Sequence, residues 1–173
     1  TRSWHIDEVE LLTGELADYN RIFAQNYDSP YLFWPLTEPH GASRSGIVTL
    51  SRCRVESALR RSLPVETGFS KFLDLDRCYS VSRVPVSNGR ELCLYNVHLS
   101  AYTTDGSIAT EQLAMLLEDM EEEYRSGNYV ICGGDFNKDL LGDSGSIFGV
   151  SEEAYTWAQP FPEELVPEGI SLT

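Results

Sequence analysis

The strongest structural signal in this chain is Tyr129-Val130-Ile131-Cys132-Gly133-Gly134-Asp135-Phe136-Asn137. Its first four residues form an apolar run that is typical of a buried strand. The two glycines allow the backbone to turn tightly or to approach a ligand closely. Asp135 and Asn137 then face one side of an extended segment, while Phe136 points the other way, into the core. The stretch therefore predicts a rigid strand that delivers two polar side chains at its carboxyl end, where ligands bind in α/β architectures.

A hairpin and a helix are predicted upstream of this strand. Residues 78–86 and 91–99 are strand-like and are joined through Asn88-Gly89, which tolerates positive φ at both central positions of a tight turn. A second stretch then shows apolar residues at helical spacing up to Tyr124, and Gly127-Asn128 ends it in the manner of a helix C-cap. The predicted order is hairpin, helix, buried strand.

Polar residues share one face at the end of the second hairpin strand. Alternation places Asn96, His98 and Ser100 together, opposite three apolar residues. His98 alone fits a half-buried structural histidine, but three polar residues in register indicate a functional edge. Arg44 is predicted in a loop over residues 37–45, before a strand at 46–51. An arginine there can fork onto a phosphate, although a solvated loop arginine is the plainer interpretation.

The amino-terminal segment predicts a helix that is capped by Ser3 or Asp7 and ends near Asn26. Five residues recur there at helical spacing: Val9, Leu12, Leu16, Tyr19 and Phe23. Residues 31–34 are predicted as a strand, 55–71 as mostly extended or loop, and 151–158 as a short helix. This order of elements favours an α/β or α+β sandwich with helices packed on sheets.

Composition excludes several classes of protein. Hydrophobic residues make up 42% and charged residues 23%, which is typical of a globular chain rather than a disordered one. No run reaches the roughly 18 apolar residues that a membrane helix needs. The net charge is −14, which argues against a protein that coats nucleic acid through a basic surface. The whole excess lies in residues 91–173, where an acidic run at 118–123 fits a solvated helix face.

The cysteines indicate reduced thiols rather than a metal site. Their spacing is wide and irregular and includes no Cys-x-x-Cys, so zinc is not indicated. Cys93 and Cys132 lie in apolar runs and are predicted to be buried. Because nothing suggests secretion, a cytoplasmic location is expected.

Taken in order, the motifs resemble the endonuclease/exonuclease/phosphatase superfamily, whose fold is that of pancreatic deoxyribonuclease. The resemblance runs from about Arg44 to Asn137 and rests on the strand at 45–52, Asn96-Val97-His98-Leu99, the helix near Glu111-Gln112-Leu113, and the Gly-Gly-Asp-Phe-Asn stretch. It implies an α+β fold, a partial four-layer α/β/β/α sandwich of mixed sheets with flanking helices. Residues 1–173 would form one truncated domain.

The resemblance also implies a phosphoric ester hydrolase that uses Mg²⁺ or Mn²⁺. Asp135 would orient or deprotonate the attacking water, Asn137 would hold that water and the phosphate, and His98 would contact the phosphate oxygens. Three further substrate contacts are expected: Arg44, Asn96 and Ser100. A nucleotide, a lipid headgroup, an inositol phosphate and nucleic acid all fit as substrates, with long nucleic acid the least suited to the acidic second half.

Parts of the family pattern do not occur in the sequence. The main metal ligand, a glutamate in a Gln-Glu motif, is absent, and so is the closing Ser-Asp-His motif. The chain is therefore expected to be an internal fragment with half a site, with Asp135 as the remaining candidate metal ligand and no activity of its own. Unpaired sheet edges would then favour self-association. The alternative is a non-catalytic interaction domain that retains the fold.

Overall fold

The computed structural model describes residues 6–33, 35–65, 76–101, 107–149 and 159–173. A 3₁₀ turn spans Glu163–Leu165. The helices and strands are α1 (Glu8–Glu15), β1 (Asn20–Leu32), β2 (Gly41–Ser51), β3 (Ser57–Ser62), β4 (Cys78–Pro85), β5 (Glu91–His98), α2 (Ser107–Arg125), β6 (Tyr129–Asp135), β7 (Lys138–Asp139), α3 (Ser144–Ile147) and β8 (Gln159–Pro160).

The main sheet has four strands in the order β3-β4-β5-β6. β4 and β5 form the predicted hairpin, and Gly89 adopts a φ of +82° in its turn. β3 pairs antiparallel with β4, whereas β6 pairs parallel with β5. A parallel pair needs a long crossover, and α2 occupies the connection between these two strands. The hairpin, the helix and the strand after it are confirmed, but the prediction that this strand is buried is wrong. No residue of β6 is buried, and Tyr129 and Ile131 are 45% and 58% exposed.

The hydrophobic core lies between this sheet and α2. On β5, Cys93, Tyr95 and Val97 are each at most 3% exposed and face the buried stripe of the helix. Burying one such side chain contributes about 1.5–3 kcal/mol, which fixes the register of β5 against α2. Phe136 is partly buried against the same core and meets the Phe161 ring edge-on, as the alternation after β6 predicted.

The opposite face of the main sheet is covered by an antiparallel ribbon of β1 and β2. Asn96 Nδ2 donates to Val48 O at 3.0 Å, which places β2 over β5. Cys78 Sγ lies 3.7 Å from Gln25 O, which places β1 over β4. The described residues therefore form a ribbon, a sheet and a helix in successive layers. This confirms the α+β sandwich of mixed sheets.

The predicted first helix is too long. Asp7 caps α1 by accepting a hydrogen bond from Glu10 N at 2.9 Å, as expected, but α1 ends at Glu15 and residues near Asn26 belong to β1. The helical spacing continued into β1 by coincidence, because long-range pairing with β2 decides this segment. Ser3, Trp34 and the predicted helix at 151–158 lie outside the described residues.

The loop predicted over residues 37–45 is also wrong in part. β2 begins at Gly41, so Arg44 lies within a strand, opposite Asp28 of β1. Its polar flanks, Ser43 and Ser45, suggested a loop. They are held extended because the neighbouring strand supplies backbone partners whatever the side chains are.

The acidic face of α2 is only partly solvated. Asp119 and Glu123 have side chains that are 13% and 14% exposed, and Arg61 and Arg83 form ion pairs with them. These two carboxylates join α2 to the sheet. The prediction that the acidic run at 118–123 is a solvated helix face is therefore wrong for these two residues.

The four cysteines are free. Cys93 is fully buried, and burial raises the pKa of the partly buried Cys132 thiol to about 12, which keeps it protonated at neutral pH. In the described part of the chain, no helix is long and apolar enough to cross a membrane.

Candidate active site

The motif that ends β5 and the Gly-Gly-Asp-Phe-Asn motif that ends β6 lie far apart in sequence but meet at one edge of the main sheet. β5 and β6 run parallel, so their carboxyl ends lie side by side, and His98 is the register partner of Asp135. Leu99 N then donates to Asp135 O at 2.9 Å, which extends the pairing by one hydrogen bond beyond His98. This parallel pairing is what converts two local sequence patterns into one candidate site.

The side chains of His98 and Asp135 face each other without a close hydrogen bond. His98 Nε2 lies 3.7 Å from Asp135 Oδ2, beyond hydrogen-bond range but close enough for an ion pair when the imidazole is protonated. The His98 side chain is 28% exposed and that of Asp135 is 60% exposed. Both groups are therefore reachable by a ligand, and the carboxylate keeps lone pairs available for a water.

Asn137 fixes the loop that carries Asp135. Its backbone N–H donates to Asp135 Oδ1 at 3.0 Å, and its Nδ2 donates to Leu99 O at 2.8 Å. The residue adopts a φ of +50°, a left-handed conformation that asparagine tolerates better than most side chains. Asn137 thus orients the carboxylate and joins the loop to the end of β5, while its Oδ1 remains an acceptor.

The two glycines of the motif have different roles. Gly134 has a φ of +144°, and a Cβ on it would lie 2.1 Å from Val97 O, so β5 and β6 approach too closely for any side chain. A Cβ on Gly133 would meet nothing within 4 Å. A close approach of the backbone is therefore required at Gly134 alone, and its neighbour is the β5 backbone; the predicted close approach to a ligand stays a prediction.

The other predicted substrate contacts are more dispersed. Asn96 Nδ2 donates to Val48 O and to Thr49 Oγ1 across the sandwich, so this amide already joins the two sheets. β5 ends at His98, and Ser100 is 2% exposed against α2, so the predicted alternation does not extend to Ser100. Their roles as substrate contacts stay predictions.

Arg44 forms an ion pair with Asp28 across the β1–β2 ribbon. Its Nε lies 3.9 Å from Asp28 Oδ2, and both side chains are more than half exposed. Such a surface pair contributes little stability, so the guanidinium can leave it for an anion at little cost. Among the described residues, no hydrogen bond or ion pair joins Arg44 to Asp135.

Comparison with known proteins gives structural matches only. No family model matches the chain, and no curated protein matches it in sequence. Among solved structures, the catalytic domain of human Nocturnin superposes with a TM-score of 0.57 and 19% identity, over 86% of this chain and 53% of that one. An endonuclease/exonuclease/phosphatase from Beutenbergia cavernae gives 0.56 and 21%, over 78% and 34%. ANGEL2, described as a 2′,3′-cyclic phosphatase, gives 0.52 and 20%, over 82% and 38%.

This chain has the endonuclease/exonuclease/phosphatase fold. The match extends over most of the chain, which confirms the resemblance that the motifs carried. The chain spans about half, or less, of the length of the solved structures it matches.

One residue that supports the site in this endonuclease/exonuclease/phosphatase fold was not predicted from the sequence. Gln112 of α2 is fully buried, accepts from Ser100 N at 2.8 Å, and donates to Ser100 Oγ and to Pro64 O at 2.9 and 2.6 Å. It therefore holds the chain where it leaves β5, one residue beyond the Leu99 carbonyl that Asn137 uses. The available signal was a glutamine on the apolar stripe of a helix, between Ala109 and Leu113.

The described site offers few ligands for a cation. Within the described ranges, no three His, Cys, Asp or Glu side chains lie together in a group that could hold a metal. At this edge of the endonuclease/exonuclease/phosphatase fold, Asp135 contributes one exposed carboxylate and Asn137 one amide oxygen. These oxygens suit Mg²⁺ or Mn²⁺ in kind but not in number.

Proposed function

We propose that this chain takes part in hydrolysis of a phosphate ester, a monoester or a diester, by an activated water. The observation that carries the proposal is the register pair His98 and Asp135 at the ends of parallel strands, with Asn137 locking the carboxylate. An exposed carboxylate, an imidazole and an amide at one edge can together hold a water and a phosphate group.

Each of the three groups has a distinct proposed task. Asp135 orients the attacking water and accepts its proton through Oδ2, since Oδ1 already accepts from Asn137 N. His98, protonated, contacts the phosphate oxygens and stabilises the negative charge that grows on them. Asn137 keeps Asp135 in place and offers Oδ1 to the water. Three residues remain proposed substrate contacts: Arg44, Asn96 and Ser100.

The matched structures support the substrate class but do not assign it. ANGEL2 is described as a 2′,3′-cyclic phosphatase, and the Nocturnin domain was solved with a bound sulfate anion. A shared fold does not transfer a function, so the proposal rests on the site itself. We favour a small phosphate ester, such as a nucleotide, a lipid headgroup or an inositol phosphate, over long nucleic acid, because 16 of the 27 acidic residues lie in residues 91–173 against two basic ones.

We further propose that the complete reaction uses Mg²⁺ or Mn²⁺, with Asp135 as one ligand. A bound divalent cation would offset the charge that develops on the phosphate. The described residues supply too few oxygen ligands to hold the cation tightly, so we assign no step to it. We expect this chain, as one domain with half a site, to bind Mg²⁺ only weakly and to show no turnover of its own.

Two measurements test the proposal. In NMR titrations with inorganic phosphate, we expect saturable shifts at the His98 ring and the Asn137 amide; no saturable shift at either residue would favour the non-catalytic interaction domain. In assays of aryl phosphomonoesters and phosphodiesters with Mg²⁺ or Mn²⁺, we expect background rates. Turnover that disappears in Asp135→Asn but persists in the surface control Asp18→Asn would support a phosphoesterase and contradict the half-site expectation.

We also propose that the chain associates with a second copy through a free sheet edge. β6 is an edge strand of the main sheet in the described part of the chain, and Tyr129 and Ile131 on it are 45% and 58% exposed. An edge strand with exposed apolar side chains is a ready template for pairing with another strand.

A further inference from the structure

Asn26 is an extra residue in β1. Gln25 pairs with Gly46 and Tyr27 pairs with Ser45, so two steps along β1 match one step along β2. This is a β-bulge, a distortion that re-aims a side chain and is frequent beside functional sites. Asn26 is only 2% exposed, so the bulge directs a polar side chain into the sandwich.

The amide of Asn26 is held by a single hydrogen bond. Ser45 Oγ donates to Asn26 Oδ1 at 2.9 Å, which occupies the oxygen and leaves Nδ2 as a donor directed elsewhere. Among the described residues, Nδ2 has no partner of its own. Asn96, the other amide between the two sheets, uses its Nδ2 on Val48 O and Thr49 Oγ1. The Asn96 amide therefore joins the two sheets, whereas the Asn26 Nδ2 makes no hydrogen bond within the described residues. Because Nδ2 is not one of the fully buried atoms without a partner, it keeps some access to a ligand.

Contacts between the sheets place Asn26 at the His98 end of β5. Gln25 O lies 3.7 Å from Cys78 Sγ, and Cys78 is the register partner of His98. Phe23, two residues before Gln25, pairs with Val48, and Val48 lies over Asn96. Asn96 is two residues before His98. β1 therefore runs from Phe23 to Gln25 in the same direction as β5 runs from Asn96 to its end at His98. The Asn26 amide thus enters the sandwich at the end where His98 faces the β1–β2 ribbon.

We propose that Asn26 donates a hydrogen bond through Nδ2 to a non-bridging oxygen of the phosphate group that His98 contacts. This inference rests on the proposed function and adds a residue from a separate sheet to it. The proposed ligand is a tetrahedral phosphate oxyanion, because a neutral amide donor and an imidazole lie at the same end of the sandwich. Ser45 is then a positioning residue, whose hydroxyl holds the amide with its donor side toward the anion.

The test is a titration of the isotope-labelled chain with inorganic phosphate at constant ionic strength. We expect the side-chain NH₂ signals of Asn26 to shift with the same saturation curve as the His98 ring. Saturable shifts at His98 and Asn137 with no change at Asn26 would overturn this inference and leave the proposed function standing. The absence of any saturable shift would overturn both. This measurement uses the unmodified chain and so does not depend on whether a variant folds.

Variants give a second readout of the same inference. Asn26→Ala should weaken phosphate affinity about fivefold, the size of one net hydrogen bond. Asn26→Asp keeps an acceptor for Ser45 but places a carboxylate against the anion, and should weaken affinity about tenfold or more. Gln25→Glu is the matched control, since it adds the same charge on the adjacent residue, whose Nε2 reaches Asp28. An equal loss in Gln25→Glu would show a general charge effect and contradict the inference.

Discussion

Gly134 is the residue on which the geometry of the site depends most directly. Replacing it with alanine would force a side chain into a φ of +144° and place Cβ 2.1 Å from Val97 O, a backbone atom that cannot give way. We expect Gly134→Ala to lower the free energy of unfolding by about 3 kcal/mol, in the range of substitutions that combine backbone strain with overlap.

Gly133→Ala provides a matched control for that experiment. It makes the same chemical change one residue earlier, where Cβ would meet nothing within 4 Å, and its φ is not in the left-handed region. Its effect in urea denaturation should stay within about 0.5 kcal/mol. Equal losses in the two variants would mean that the approach of β6 to β5 is looser than described.

Some residues of the site can be predicted from local sequence patterns, and others depend on contacts between distant parts of the chain. Asp135, Asn137 and His98 could be proposed from sequence because each follows or ends a strand whose apolar pattern is local. Asn26 and Gln112 could not, because their roles depend on Ser45 and Ser100, which reach them only after the sheets and α2 pack. A buried amide leaves little trace in sequence beyond a polar residue at an apolar position.

The carboxyl end of β5 is held by α2 through Gln112. Gln112→Leu keeps the volume of the side chain but removes its hydrogen bonds with Ser100 N and Pro64 O. We expect a loss of about 2–3 kcal/mol, the cost of unsatisfied buried polar groups. Hydrogen exchange at the Ser100 and Leu99 amides should accelerate more than the change in global stability accounts for.

Glu111→Leu is the control for this variant, because Glu111 is exposed on the preceding helical position. It should leave both the stability and the exchange at Ser100 nearly unchanged. Uniform acceleration across β5, rather than at its carboxyl end, would contradict a local clamp by Gln112.

α2 is also anchored by an ionised cluster, and this anchor is pH-dependent. Arg83 hydrogen-bonds Glu123 and Glu91, and the bond from Arg83 lowers the pKa of the Glu123 carboxyl. A lowered folded-state pKa means that Glu123 contributes its full stability above its unfolded pKa of about 4.3, and that this contribution declines as the pH falls through the folded value. Acid should therefore loosen α2 from β4.

Glu123→Gln tests this anchor. At pH 7 we expect it to cost on the order of 2 kcal/mol, as for a hydrogen bond between charged groups, and the difference from wild type should shrink as the pH falls below about 4. Glu122→Gln removes a charge from the neighbouring exposed position and should change little. A difference between Glu123→Gln and wild type that stays constant with pH would show that ionisation of Glu123 is not the cause.

The elements of the fold differ in how far sequence predicts them. The β4–β5 hairpin, α2 and β6 have complete local signals: a turn dipeptide, a helical stripe with its C-cap, and an apolar run. β1 lacks such a signal over most of its length, because Asn20–Leu32 mixes polar and apolar residues in a way that fits a helix as well as a strand. β2 shows a strand signal only over residues 46–51, and its first half, like β1, is a strand because the two pair along their length, with a bulge at Asn26.

The sandwich as a whole leaves one side of its main sheet incompletely covered. Hydrogen bonds place the β1–β2 ribbon over β4 and β5, whereas Tyr129 and Ile131 of β6 are 45% and 58% exposed. Tyr129 and Ile131 are the register partners of Leu92 and Leu94, so their side chains lie on the face that the ribbon covers elsewhere. Their exposure follows from the width of the ribbon.

We expect wild-type chain to form a dimer in light scattering, with β6 of one copy antiparallel to β6 of the other. Ile131→Lys should convert this dimer to a monomer, because an ammonium group at the centre of the pairing must be desolvated. Leu59→Lys is the matched control: Leu59 is 53% exposed on β3, the opposite edge strand of the same sheet, and its replacement should leave the dimer intact. If Leu59→Lys alone dissociates the dimer, β3 is the interface; a wild-type monomer at every concentration means that neither edge pairs.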